Sequence, residues 1–220
     1  MSAAPLNKPD PTEHPALTPA LRELSQRGEL RRFRRGAVLI HEGDFGQTMF
    51  IILSGRLRAY SASALGDKEI TFGTYGPGDY VGEISLDGGP RSASVDAVDA
   101  CLCSVVTRRT IEAYLAQNPS FAFELLAKVT RRAREATLSA RQMALEDVYG
   151  RLRRHLLASS TPQADGTQLL RPRPTHKAIA QSIGCGREMV SRVLKQLERG
   201  GYVEPRPGEL RLLRALPPRY

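Results

Sequence analysis

No stretch of the chain approaches the ~18 uninterrupted apolar residues that a membrane-crossing helix needs, and its opening, MSAAPLNKPDPTEHPALTPA, lacks the basic-then-apolar order of an export signal. The expectation is a cytoplasmic protein with no membrane partner. Cysteine is scarce: Cys101, Cys103 and Cys185 are an odd number, and the first two sit two apart in an apolar run, where both thiols face the same side of a strand. A disulfide framework is thereby excluded, and no second cysteine or histidine pair completes a metal-ligand set. Glycine is absent between Pro90 and Tyr149, and acidic residues are scarce after residue 150. These two gaps divide the chain into regions of different character.

What is present follows those divisions. At 220 residues the chain can build two modest cores. Residues 1–18 carry four prolines and no apolar period, which predicts a flexible arm. From Gly36 to Gly89 the chain holds eleven of its nineteen glycines, interleaved with short β-type runs at Ala37–Ile40, Thr48–Leu53, Leu57–Ala62 and Glu69–Tyr75. Many short strands separated by glycine turns predict a sandwich, jelly roll or small barrel, here over 19–118. One more apolar strand, Ala100–Val106, precedes a helical stretch.

In the segment 119–146, Ala122, Leu126, Val129, Ala133, Ala136, Ala140 and Met143 recur at alternating steps of four and three. That is a heptad stripe, flanked by charges such as Lys128, Arg131, Arg132, Arg134, Glu135 and Arg141. It predicts a helix that pairs with a second copy of itself. Helical character continues from Leu145 to Leu157, with a polar loop at Ala158–Gly166 and a small domain over 147–220. From Arg151 onward fourteen Lys and Arg face five Asp and Glu, an excess of nine, whereas residues 1–150 hold eighteen of each. All the surplus positive charge is C-terminal, which points to a polyanion-binding module there.

The most specific segment is GPGDYVGEISLDGGPRSASV, Gly76–Val95. It offers the Glu83 carboxylate, the Arg91 guanidinium and the Ser92 hydroxyl around a short helical turn. The backbone amides of Gly82, Ile84 and Ser85 can face an anion there. Such a set suits a phosphate joined to a sugar, with Arg91 on the phosphate and Glu83 accepting a ribose hydroxyl. The cassette resembles the phosphate-binding segment of cyclic-nucleotide-binding domains, and over roughly residues 20–215 the chain resembles the cyclic AMP receptor protein and FNR family of bacterial transcription regulators. The resemblance implies an α+β protein: an N-terminal β jelly roll for an effector, a long dimerisation helix, and a C-terminal winged helix-turn-helix. It further implies that the effector is a cyclic nucleotide, cAMP or cGMP, touched also by Arg132 and Thr137 on the long helix. Two adjacent hydroxyl residues are usual at that point in cAMP-responsive members, and here Ala136 precedes Thr137, so the choice of nucleotide stays open. An FNR-type iron–sulfur cluster is not expected, since it needs four cysteines and none precedes Cys101. Haem is not expected on His41 alone.

The C-terminal stretch THKAIAQSIGCGREMVSRVLKQLERGGYV, Thr175–Val203, is where a DNA reader is expected. Thr175 can cap a first helix, Ile183-Gly184-Cys185 makes a tight turn, and a second helix from about Gly186 to Arg199 turns Val190, Val193, Leu194 and Leu197 inward. Its polar face presents Arg187, Glu188, Ser191, Arg192 and Lys195, residue types that read base edges in a major groove, with Thr175 and Lys177 alongside. Runs at Tyr202–Val203 and Glu209–Leu213 look like a wing. By the resemblance, Arg187, Glu188 and Arg192 imply a palindromic TGTGA-like site. Gly186 and Ser191 depart from the cyclic AMP receptor pattern, Ser191 toward the FNR branch. Double-stranded DNA, a second copy of the chain and RNA polymerase are the partners so implied. An enzyme is not expected, because jelly-roll dioxygenases need clustered histidines and the β-rich region has only His41 beside Glu42. An effector-independent regulator whose barrel is a scaffold is the remaining alternative.

Overall fold

The computed structural model describes residues 11–66 and 68–219. The chain forms α1 (Pro19–Gln26), β1 (Glu29–Phe33), β2 (Val38–Ile40), β3 (Thr48–Ser54), β4 (Leu57–Ala62), β5 (Glu69–Tyr75), β6 (Tyr80–Val81), a 3-10 turn (Ile84–Asp87), β7 (Ser94–Ala97), β8 (Cys101–Thr107), α2 (Arg108–Gln117) and α3 (Phe121–Leu145). There follow α4 (Val148–Ala158), β9 (Thr161–Pro162), β10 (Gln168–Leu170), α5 (His176–Ile183), α6 (Arg187–Arg199), β11 (Val203–Arg206) and β12 (Glu209–Leu212). Two compact units result: the chain up to Ser61 with Gly73–Thr130, and Ala62–Phe72 with Arg131 onward.

In the first unit two four-stranded antiparallel sheets, ordered β1-β8-β3-β6 and β2-β7-β4-β5, face each other as a jelly roll. β3 shows why: its alternate residues serve different cores. Phe50 and Ile52 pack between the sheets with Leu57, Val81, Val95 and Val105, while Met49, Ile51 and Leu53 pack against Leu21, Leu24, Ile111 and Tyr114 of the flanking helices. A strand covered on both faces carries an unbroken apolar run, which is what Met49–Leu53 is. Cys101 and Cys103 lie together in the inter-sheet core, and burial pushes the Cys103 thiol up to about 12.

The arm expected over 1–18 needs correction where residues are described. Leu17 is buried, Thr12 is buried in a 3-10 turn, and the Thr18 hydroxyl accepts from Leu21 N at 3.2 Å as the cap of α1. Residues 1–10 of that arm lie outside the described residues.

α3 runs unbroken for 25 residues and buries only Phe121. Its first turns are tied to the jelly roll: Thr18 donates to Glu124 at 2.7 Å, and Lys128 donates to Gly78 O at 2.6 Å and to Asp79 at 2.9 Å. Lys128 is thus anchored to the β-domain rather than being a free flank of the stripe. The helical character expected over 145–157 is carried by a separate helix. α3 ends at Leu145, and the Asp147 carboxylate accepts from Gly150 N at 2.7 Å to cap α4.

The second unit holds a core of Leu152, Leu156, Ile179, Val190, Leu197, Val203 and Leu210, among others, closed by the sheet β11-β12-β10-β9. The loop expected at 158–166 contains one short strand, β9, paired to β10. The tip of the β4–β5 hairpin belongs to this unit, where Gln181 of α5 donates to Glu69.

Candidate effector site and nucleic-acid interface

The Gly82–Ser92 cassette is built from a tight reversal after β6. Gly82 sits at φ +89°, a left-handed conformation that favours glycine. A Cβ there would stand 2.7 Å from both Thr48 O and Arg91 Nη1. Glu83 leads into the 3-10 turn and is half-buried, and Ile84 is exposed. Ser85 is buried, with its hydroxyl 2.8 Å from Gly46 O and 3.3 Å from Gly82 O, so it ties the cassette to the loop before β3. Ser92 is exposed.

Arg91 is the centre of the assembly and only 7% exposed. Its backbone is pinned by Arg91 N donating to Asp44 O and Gly43 N donating to Arg91 O, both at 2.8 Å. Nη1 donates to Gly82 O at 2.8 Å and Thr48 O at 3.0 Å, and Nη2 donates to Thr48 Oγ1 at 3.0 Å. Burial pushes the guanidinium pKa down, and the nearby Glu83 and Asp44 charges oppose that shift. A guanidinium carries five N–H donors in a planar fork. Three are used, which leaves Nε–H and one Nη2–H, the side-by-side pair suited to an anion. That edge lies beside Gly46, where a Cβ would fall 2.8 Å from Nη2 and 3.3 Å from Nε. Gly46 and Thr48 therefore belong to the site although sequence reading did not select them. Only their closeness to a residue over forty positions away identifies them.

Arg132 and Thr137 stand on α3 in the other compact unit. Arg132 is half-buried; Thr137 is exposed, with its hydroxyl donating to Ala133 O at 2.9 Å within the helix. The seven stripe residues of α3 are all exposed: Ala122, Leu126, Val129, Ala133, Ala136, Ala140 and Met143.

In the C-terminal unit α5 and α6 form the helix-turn-helix. The Thr175 hydroxyl accepts from Ala178 N at 3.1 Å as the cap of α5, and Gly184, at φ +65°, makes the turn. Arg151 Nε donates to Ile183 O at 2.9 Å and holds that turn from α4. Gly186 opens α6 without a side-chain cap. Arg187, Glu188, Arg192 and Lys195 are exposed together on α6, and Lys177 is exposed on α5. Ser191 differs: it is half-buried, with its Oγ 2.7 Å from His176 Nδ1. Among the described residues no group of three or more His, Cys, Asp or Glu could hold a metal ion, and no helix is long and apolar enough to cross a membrane.

A ligand-binding jelly roll followed by a winged helix-turn-helix defines a regulator class rather than an enzyme class. Residues 30–118 match the cyclic nucleotide-binding domain and residues 150–215 the Crp-like helix-turn-helix domain. The chain is 33% identical over 186 residues to the cyclic AMP receptor protein of Thermus thermophilus, covering 84% of each. It is 30% identical over 191 residues to the cAMP-activated global transcriptional regulator CRP of Escherichia coli, covering 84% of this chain and 89% of that one. The c-di-GMP responsive global regulator CLP of Xanthomonas campestris shares the fold, with TM-score 0.76 at 22% identity over 88% of this chain and 97% of that one. The chain belongs to the CRP/FNR family: it is a DNA-binding transcription regulator with a cyclic-nucleotide-binding domain, and not an enzyme.

Proposed function

We propose that the protein is a homodimeric, cytoplasmic regulator that binds cAMP or cGMP through the jelly roll and reads a palindromic TGTGA-like site with α6. The observation that carries the effector reading is the Nε–Nη2 edge of Arg91, held in place by Thr48 and Gly82 and left uncovered by the missing side chain of Gly46. Arg91 takes the cyclic phosphate on that edge, Glu83 accepts a ribose hydroxyl, and the Gly82, Ile84, Ser85 and Ser92 groups line the phosphate. Arg132 and Thr137 are the proposed base contacts. On the DNA side Arg187, Glu188 and Arg192 read bases; Thr175, Lys177, Ser191 and Lys195 serve the backbone. RNA polymerase is the proposed further partner. Effector control requires the two states of the dimer to differ in ligand affinity.

Calorimetry of the full chain with cAMP and with cGMP, each with Arg91→Ala in parallel and with a TGTGA-type duplex present or absent, tests this. c-di-GMP is a third titrant, because the Xanthomonas campestris neighbour responds to it. Binding of one nucleotide that the variant abolishes and DNA strengthens is the expected result. A second reading has its own support, since Arg91 is buried and bonded to carbonyls of its own chain, as a purely structural arginine would be. Absence of nucleotide binding, together with undiminished DNA binding, would favour that effector-independent scaffold.

A further inference from the structure

Resting on the reading of α6 as the DNA-facing helix, we propose that His176 is a proton-linked phosphate contact, steadied by Ser191, that makes duplex binding tighten as pH falls. His176 opens α5 beside the capping Thr175, and its Nδ1 meets Ser191 Oγ on α6 at 2.7 Å. That bond fixes the ring between the two helices and leaves Nε2 without a hydrogen-bond partner among the described residues. α5 packs on α4 and α6. The charges that act on the ring are Arg187 and Lys195 from α6 and Arg173 from the segment leading into α5. All three are cationic. With burial first and these charges second, the imidazole is held below its ordinary value of 6.5 in the free protein.

A duplex reverses that field. The positive charges of Arg173, Arg187 and Lys195 that act on the ring also attract a phosphate oxygen, and once it is there the repulsion on a protonated imidazole is offset. The ring then takes one proton from solvent; Nε2–H donates to the phosphate oxygen and Nδ1–H to Ser191 Oγ. Because the ring binds protons more tightly in the complex than in the free protein, affinity rises as pH falls between those two values. An arginine at this position would make the contact at every pH; histidine makes it conditional. Phosphate contacts carry no sequence information, so the linkage belongs to any duplex.

The full chain, with cAMP present at fixed concentration and at low ionic strength, is titrated with a TGTGA-type palindrome and with an unrelated duplex of equal length, at about pH 6 and about pH 8. The wild type is expected to bind both duplexes up to about tenfold tighter at the lower pH relative to His176→Asn, whose amide still reaches Ser191 but does not titrate. His176→Arg is expected to bind tightly at both pH values, and serves as the test should the asparagine variant fail to fold. Parallel pH profiles in wild type and variants overturn the inference alone. A linkage seen with the palindrome and not with the unrelated duplex overturns the phosphate assignment. No binding of either duplex at either pH overturns the reading of α6 and this inference with it.

Discussion

Arg91 serves two demands at once. Its backbone and Nη1 bind the cassette to Asp44, Thr48 and Gly82, while its other edge is the one proposed to take an anion. The second demand is what Gly46 protects. Its substitution Gly46→Ala places a Cβ 2.8 Å from Nη2, and the crowded atom is the end of a side chain, so the fold can yield by displacing the guanidinium. The expected outcome is a nucleotide affinity about tenfold to a hundredfold weaker, as for one or two lost charge-assisted bonds. Thermal stability should change little, within roughly 1 kcal/mol. Calorimetry beside a melting curve separates the two; equal losses in both would show Gly46 to be a packing position only. Arg91→Ala differs, since it strands the Thr48 and Gly82 carbonyls and costs stability as well, about 1–3 kcal/mol. At this scale the cassette residues were legible as a motif. The partners of Arg91, Ser85 and Ser191 were not, because a hydrogen bond between residues so far apart leaves no local pattern.

Among the elements, α3 carries an unmet demand. Leu126 is 59% exposed, Val129 42% and Met143 41%, and with Ala133, Ala136 and Ala140 they form one apolar line on a helix that buries a single residue. Apolar lines of this period are covered by a second helix, and the alanines allow close approach. Val129→Glu and Ala136→Glu are therefore expected to shift the protein from dimer to monomer in light scattering, and to remove the concentration dependence of the wild-type melting temperature. A monomeric wild type at micromolar concentration would sink the dimer reading. The stripe was readable from spacing alone, and the helix bounds came within two residues. β1 was not readable. Its ELRRF sequence is charged and exposed along most of its length, and it is a strand only because it pairs with β8 from Glu29↔Val105 to Phe33↔Cys101. The division at Asp147 was readable, and what the spacing did not show is that the Asp147 side chain makes it, by capping α4.

Across the whole molecule, charge separates the two ends. The surplus of nine positive charges lies after residue 150, but not all of it is free. Arg151 holds the turn carbonyl of Ile183, Arg153 reaches Leu216 O, and Arg154 pairs with Glu146. Lys177, Arg187, Arg192 and Lys195 are left exposed on the two helices of the reader. DNA affinity should fall linearly in log–log terms with salt, by about 0.9 per phosphate neutralised. Lys177→Ala should lower that slope by about one and leave sequence preference unchanged. Arg192→Ala should instead relax preference at one base pair by about 1–3 kcal/mol. Fluorescence anisotropy at several salt concentrations checks both, and a Lys177 variant with altered sequence preference would contradict the assignment.

The sequence by itself determined the order of elements, a glycine-rich β-domain followed by a long helix and a basic helical domain, and it placed the surplus positive charge at the C-terminal end; the jelly roll and the winged reader were what the family resemblance implied. The order and the charge rest on local quantities: glycine at forced turns, apolar period two or three and a half, and net charge summed over a segment. Only the tertiary structure decided which donors of Arg91 are spent within the chain, that Gly46 lies beside the others, and that His176 meets Ser191. Each depends on groups brought together by closing long loops of chain, and a polar side chain chooses its partner by distance and angle, which no local pattern encodes.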